Sequence, residues 1–167
     1  MSLVASISVA LGAMLVRAYS WARAADFDTT IPMRDGGAAT FYVDAHLDGI
    51  GDMAFMVDTG SGYLTINEHT LAALETGNHA SYLHDLQAVL ADGSEVLVPV
   101  YRIKSLSIGG RCHLFDVDAA VFPGATRQIL GLSALKKAAP FIFSFNPPNL
   151  VLSNCPAAEK VAAATDR

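Results

Sequence analysis

An apolar segment of the chain ends at a carboxylate, in the sequence Phe-Met-Val-Asp58-Thr59-Gly60-Ser61-Gly62. An uninterrupted apolar run of this length predicts a buried strand. A chain tolerates a carboxylate at such a place mainly when the group is used or is well hydrogen-bonded. The N–H groups around Gly60, where the missing Cβ allows close approach, and the hydroxyls of Thr59 and Ser61 could supply those bonds. The pattern therefore indicates either acid–base chemistry by Asp58 or an ordinary Asp-Gly turn.

Two further motifs follow in a fixed order. Asp92-Gly93 lies between alternating segments, which is a strong hairpin signal, although a plain surface hairpin would give the same pattern. Later in the chain, Ile129-Leu130-Gly131 places two apolar residues and a glycine before a short predicted helix. The hairpin thus lies between the Asp58 turn and the second glycine motif.

The elements that must position these motifs are mostly short strands separated by turn residues. A first helix is expected after an N-cap at Asn67 and should end at Gly77. Residues 78–85 are polar and are predicted to be a loop. Ser133 could cap a second short helix over residues 134–138, before Pro140. Strands are predicted at residues 39–47, 53–57, 63–66, 86–90, 95–101, 103–108, 113–121, 129–130, 141–145 and 150–152. The expected fold class is all-β, with one or two short helices.

This order of motifs resembles the retropepsin-like aspartic proteases. In that family an apolar strand leads into Asp-Thr-Gly-Ser, a flap hairpin follows, and two apolar residues and a glycine precede a helix. The likeness extends over about residues 39–152 and is strongest to the exported bacterial branch. It implies a closed β-barrel equivalent to half of a two-lobed pepsin-type enzyme, with no metal or cofactor. Gly62 departs from the pattern, because many relatives carry Ser, Thr or Asp at this position.

The resemblance implies an aspartic endopeptidase with Asp58 as its catalytic carboxylate. This chemistry uses two carboxylates that share one proton. The chain contains one Asp-Thr-Gly, so the second carboxylate should come from another copy in a twofold homodimer. In that dimer Thr59 would bond to its symmetry mate, and Gly60 would offer its backbone N–H. Ser61 would donate to the outer oxygen of Asp58, which favours an acidic pH optimum.

The substrate implied by the resemblance is an extended peptide segment of a protein, held beneath the flap by backbone hydrogen bonds. Apolar surroundings predict hydrophobic side chains beside the scissile bond. The strands within residues 141–152 could pair across the dimer interface. The candidate substrate-binding residues are Gly62, Ala91, Asp92, Gly93, Ser94, Ile129, Leu130 and Gly131.

The N-terminal segment predicts export. Residues 3–16 are apolar or small, too few to span a bilayer, and Ala22-Arg23-Ala24 fits a signal peptidase site. Residues 1–24 are interpreted as a cleaved signal, with an uncleaved anchor as the alternative and the only expected contact with a membrane. Residues 25–155 form the expected domain, and residues 156–167 form a flexible tail. The predicted location is the periplasm or cell envelope.

Charge and composition narrow the function further. The formal net charge is −5 without a basic run, which argues against nucleic acid as a partner. Cys112 and Cys155 could form a disulfide or remain two buried thiols. The five histidines have no spacing typical of a zinc site. A non-catalytic β-rich binding or adaptor domain of the envelope remains the alternative function, because a fold alone does not establish activity.

Overall fold

The computed structural model describes residues 26–156, and it is mainly β with two short helices, as the sequence predicts. The signal, the cleavage site and the tail beyond Pro156 lie outside the described residues. Within 26–156 no helix is long and apolar enough to cross a bilayer. The strands are β1 (Thr29–Pro32), β2 (Arg34–Asp35), β3 (Phe41–Leu47), β4 (Gly51–Val57), β5 (Leu64–Asn67), β6 (Ala80–Val89), β7 (Glu95–Ile108), β8 (Cys112–Phe122), β9 (Ile129–Leu130), β10 (Phe141–Phe145) and β11 (Pro148–Leu152), and the helices are α1 (Glu68–Thr76) and α2 (Leu132–Leu135).

Six strands close into a barrel, which confirms the predicted architecture. β3 pairs with β4, β4 runs parallel to β9, and β9 pairs with β5. β5 runs parallel to β8, which pairs antiparallel with β7. β7 then returns to pair with β3 and completes the ring. Closure removes the exposed edges that a flat sheet would leave on these strands.

The barrel interior is filled by alternate residues of its strands. Along β3 the residues Phe41, Val43, Ala45 and Leu47 are buried, and the residues between them are more exposed. This period of two is the pattern that a half-buried strand requires. Phe55 is fully buried on the neighbouring strand β4. The core therefore holds the end of β4 in place, directly before Asp58.

The first helix begins and ends where the sequence predicts. The side chain of Asn67 accepts a hydrogen bond from the Thr70 N–H at 2.9 Å, which satisfies one of the free amides of the first turn. Gly77 is the C-cap. The helix packs over the barrel through the buried residue Leu74.

Several element boundaries differ from the predictions. Residues 80–85 belong to β6 instead of a loop, because they pair with β7 from Ala80 opposite Ile103 onward. Two predicted strands at 95–101 and 103–108 are one continuous strand, β7. The second helix begins at Leu132 and passes into a 3₁₀ turn over Lys136–Ala138, and the Ser133 side chain does not cap it.

A separate three-stranded sheet holds the end of the domain. Its order is β1, β11, β10, so β10 has one edge without a partner among residues 26–156. The Cα atoms of Cys112 and Cys155 are 4.6 Å apart and their sulfurs are bonded, which resolves the two alternatives in favour of a disulfide. This bond ties the segment that follows β11 to the start of β8.

Candidate active site

Asp58 lies at the mouth of the barrel, directly after the buried end of β4. Its Oδ1 accepts the Gly60 N–H at 2.8 Å, and its own N–H donates to the Leu130 carbonyl at 3.2 Å. The side chain is half-buried. A carboxylate that accepts a backbone N–H has a fixed orientation, so the turn presents one oxygen in a defined direction.

The second glycine motif supports this turn from beneath. The Leu132 N–H donates to the Ser61 carbonyl at 2.8 Å, and the Ser133 N–H donates to the Gly62 carbonyl at 3.0 Å. Gly131 has an ordinary φ of −96°, so it is not needed for backbone conformation. A Cβ at Gly131 would overlap the carbonyl oxygen of Tyr63 and stand 2.8 Å from that of Ser61. The glycine is therefore required for space, and it allows α2 to start directly behind the Asp58 turn.

Ser133 is a second link between these segments. Its hydroxyl accepts the Leu64 N–H at 2.7 Å and donates to the Asp118 carbonyl at 2.6 Å. Leu64 is fully buried, so this hydroxyl satisfies an amide that water cannot reach. This use of the side chain explains why it does not cap α2.

The predicted hydrogen bond from Ser61 to Asp58 is wrong for the chain as it stands. The Ser61 hydroxyl donates to the Tyr63 carbonyl at 2.9 Å. A hydroxyl has one proton to donate, and here the nearby carbonyl accepts it. Because the Ser61 hydroxyl does not donate to Asp58 here, it gives no reason to expect an acidic pH optimum.

Thr59 occupies the exposed crest of the turn. Its residue is exposed, and its hydroxyl has no hydrogen-bond partner within the described part of the chain. The side chain is thus free to contact another molecule placed over the turn.

A cavity of about 670 Å³ opens in front of Asp58. Its volume falls within the usual range for small-molecule and peptide pockets. Among the lining residues, Asp58 is the one carboxylate, and none of them is a lysine or arginine. The lining residues are Asp58, Gly60, Ser61, Gly62, Tyr63, Thr65, Leu86, Gln87, Ala88, Val89, Leu90, Ala91, Ala120, Phe122, Thr126 and Ile129.

The cavity includes some of the predicted substrate-binding residues and leaves out others. Gly62, Ala91 and Ile129 line it. Leu130 and Gly131 do not, because both are buried behind the turn. The hairpin tip residues Asp92, Gly93 and Ser94 do not line it either. The end of β6 from Leu86 to Val89, with Leu90 and Ala91 directly after it, covers the cavity instead.

The tip of the hairpin is a well-bonded turn. Asp92 Oδ1 accepts the Ser94 hydroxyl at 2.6 Å and the Ser94 N–H at 2.9 Å. These bonds, the hydroxyl foremost, lower the pKa of Asp92 below its ordinary 3.8. Gly93 has a φ of +83°, a conformation that suits glycine.

Sequence reasoning missed several walls of the cavity, chiefly Tyr63, Thr65, Ala120 and Phe122. Thr65 and Ala120 are opposite each other in the parallel pairing of β5 and β8. That pairing joins strands more than fifty residues apart, and no local pattern predicts it. Residues 26–156 contain no group of three side chains that could hold a metal ion.

The sequence profile of the aspartyl protease family matches residues 43–134. Among solved structures, the chain is similar to a retropepsin-like aspartic protease from Rickettsia conorii. The two sequences are 21% identical over 74% of this chain and 88% of the other, with a TM-score of 0.52. None of the curated proteins compared with the chain matches it significantly.

Proposed function

The chain belongs to the aspartyl protease family and has a retropepsin-like fold, and from that premise we propose that it is an aspartic endopeptidase acting as a homodimer. One observation carries the proposal. Asp58, oriented by the Gly60 N–H at 2.8 Å, is the one carboxylate facing a cavity that the β6 arm of a hairpin covers. In a shared acid–base pair each subunit would supply one such carboxylate, held in a fixed orientation beneath the hairpin.

The proposed reaction is attack by water on a peptide carbonyl. One Asp58 carboxylate of the dimer takes a proton from the water as its oxygen bonds to the carbonyl carbon. The protonated Asp58 of the partner gives its proton to the carbonyl oxygen, so that a neutral tetrahedral diol forms. The first Asp58, now protonated, gives its proton to the nitrogen, the partner Asp58 takes a proton from one hydroxyl of the diol, the C–N bond breaks, and the carboxyl and amine products leave. The two carboxylates end the cycle sharing one proton again.

Three features support a second copy as the source of the other carboxylate. The sequence has a single Asp-Thr-Gly. Thr59 is exposed beside Asp58 and has no hydrogen-bond partner in residues 26–156. Within residues 26–156 one edge of β10 has no partner strand, β10 carries no charged residue, and its Ile142 and Phe145 are 46% and 68% exposed. Such an edge readily pairs with another strand, and a second β10 would extend the sheet across a twofold axis.

The substrate in this proposal is an extended peptide with apolar side chains near the scissile bond. Leu86, Val89, Phe122 and Ile129 supply apolar walls on both sides of the cavity. The β6 arm also carries backbone groups that can bond to an extended chain.

The decisive test is peptide cleavage by the purified full chain across acidic and neutral pH. We expect wild type to cleave and Asp58→Asn to be inactive but folded. Asp116→Asn is the matched control, because this carboxylate is exposed, lies away from the cavity and has a φ of +53° that asparagine tolerates. No cleavage by a folded, dimeric wild type would favour the non-catalytic binding domain.

Mixing experiments test the shared pair separately from the activity. In an equal mixture of wild type and Asp58→Asn, incubated until pull-down of a tagged Asp58→Asn chain shows that the subunits have exchanged, random pairing leaves about one quarter of the dimers with two Asp58 residues. Activity should therefore fall to about a quarter of that of undiluted wild type. A value near one half would show that each chain works alone, and the homodimeric mechanism would be wrong.

We also propose that the protein is exported. Residues 1–24 have the features of a signal, and a disulfide joins Cys112 to Cys155. Disulfides persist in oxidising compartments such as the periplasm. N-terminal sequencing of protein recovered from the cell envelope should begin at Ala25. A start at Met1 or Ser2 would contradict cleavage.

A further inference from the structure

Arg127 lies at the edge of the cavity, on the connection between β8 and β9. Thr126 and Ile129, on either side of it in sequence, both line the cavity. Its Nη1 lies 3.3 Å from the sulfur of Met56, which is opposite Ile129 in the parallel pairing and two residues before Asp58. Alternate residues of a strand point to the same side, so Met56 and Asp58 share one side of β4, and Arg127 contacts that side.

The connection that carries Arg127 is anchored at several points. The Asn67 amide donates to the Thr126 carbonyl at 3.1 Å, and the Thr126 hydroxyl donates to the Pro123 carbonyl at 2.7 Å. The Gly124 N–H donates to Glu68 at 3.1 Å. The position of Arg127 at the cavity edge is therefore fixed by the backbone and not by its own side chain.

The guanidinium has little to bind within the chain. Arg127 is exposed and forms no ion pair with any residue from 26 to 156, Glu68 included. Among the residues that the structure describes, its one hydrogen bond goes to a thioether sulfur, which is a weak acceptor. A guanidinium carries five N–H donors in a planar fork that suits a carboxylate, so most of its binding capacity is unused.

The surrounding charge makes this cation distinctive. No lysine or arginine lines the cavity, and the whole chain has a formal net charge of −5. An acidic side chain of a substrate would be repelled by the protein as a whole and would find no cation among the residues that line the cavity, whereas Arg127 lies at its edge. A cation next to a cavity that takes a peptide is thus placed to select among peptides by charge.

We propose that Arg127 is a specificity-determining residue that binds a glutamate or aspartate side chain of the substrate, near the apolar residues at the scissile bond. This inference rests on the proposed peptidase function. It places one acidic residue of the peptide against the guanidinium, while neighbouring apolar side chains fill the cavity. The substrate class is a peptide with an acidic residue close to a hydrophobic cleavage site.

The test compares matched peptides. A peptide that the purified full-length wild type cleaves is made with Glu, Gln or Lys at each position flanking the scissile bond. At one position we expect kcat/KM for Glu to exceed that for Gln by about fivefold, the size of a partly exposed ion pair. Arg127→Ala should remove this ratio, Arg127→Lys should restore part of it, and Arg127→Glu should favour Lys. Lys104→Ala is the matched control, since Lys104 is an exposed cation away from the cavity.

The outcomes separate this inference from the proposed function. If wild type and Arg127→Ala both cleave with the same Glu-to-Gln ratio at every position, the specificity role is wrong while the peptidase stands. If Arg127→Ala slows Glu and Gln peptides equally and weakens the dimer in analytical ultracentrifugation, Arg127 binds the other subunit and the inference is overturned. If wild type cleaves no peptide at any pH, the proposed function fails first.

Discussion

Replacing Gly131 by alanine should damage the proposed active site through a single methyl group. The new Cβ would lie well inside 3.0 Å of the Tyr63 carbonyl oxygen, with the Ser61 carbonyl at 2.8 Å as a second obstacle. Both oxygens are backbone atoms, so no side chain can rotate away. Relief requires a shift on the order of 1 Å in the segment that follows Asp58, and a displacement of that size can lower catalysis by roughly 10²-fold. The overpacking should also cost about 1–3 kcal/mol of unfolding free energy.

Two measurements on the purified full chain test this reasoning. Peptide cleavage gives the loss in kcat, and urea unfolding gives the loss in stability. Gly62→Ala is the control for the unfolding measurement, because a Cβ there has no heavy atom within 4 Å and the backbone is not left-handed. Its unfolding free energy should stay within about 0.5 kcal/mol of wild type. A Gly131→Ala protein with wild-type stability and kcat would refute the assignment of this glycine to a steric role.

Three other changes have defined expected outcomes. Replacing Cys112 and Cys155 together by alanine opens a loop of 43 residues. Urea unfolding should then show a loss of about 4 kcal/mol in the free energy of unfolding if chain entropy dominates, and a loss below about 1 kcal/mol would contradict that. Ser133→Ala leaves a buried amide unpaired, which should cost about 1–3 kcal/mol in the same assay, and an unchanged midpoint would count against the bond. The pKa of the Asp92 carboxyl, measured by NMR titration, should lie below 3.8. Because the pKa is lowered in the folded state, the contribution of the ionised carboxylate to the turn is complete above pH 3.8 and is lost as the pH falls through the folded pKa. Ser94→Ala should raise the pKa of Asp92, and an unchanged pKa would contradict the role of this hydrogen bond.

Local patterns were sufficient for the features that depend on neighbouring residues. The cap at Asn67 and the turn at Gly93 each follow from a few consecutive residue types, and both occur as predicted. The apolar run before Asp58 forms the predicted strand, but the strand is half-buried and not fully buried, because Phe55 and Val57 face the core while Ala54 is exposed. The closed barrel followed from the resemblance. The sequence leaves the disulfide between Cys112 and Cys155 undecided, because spacing alone does not say whether two Cα atoms approach each other.

Features that depend on distant segments were beyond the sequence. Ser61 was assigned to Asp58, but the position of the Tyr63 carbonyl decides where its proton goes. The polar residues from 80 onward predict a loop and form a strand, since a strand in a two-stranded ribbon has little to bury and so lacks an apolar pattern. Arg127 was not singled out, because only the pairing of β4 with β9 brings it near Asp58.

The long strand β7 belongs to the barrel at one end and to the hairpin at the other, and the barrel end is held by more strand pairing than the hairpin end. From Val100 to Ile103 this strand is paired on both sides, with β8 and β6, and from Leu106 to Ile108 it is paired on both sides again, with β8 and β3. From Glu95 to Pro99 it pairs with β6 alone. The hairpin therefore projects about 20 Å beyond Val100, where the pairing of β7 with β8 begins. Bending of the hairpin would concentrate next to Val100, where the register between β6 and β7 shifts from Tyr82 to His84. We therefore expect the cover over Asp58 to move as a unit, with the largest displacement at the tip of the hairpin and little in the barrel.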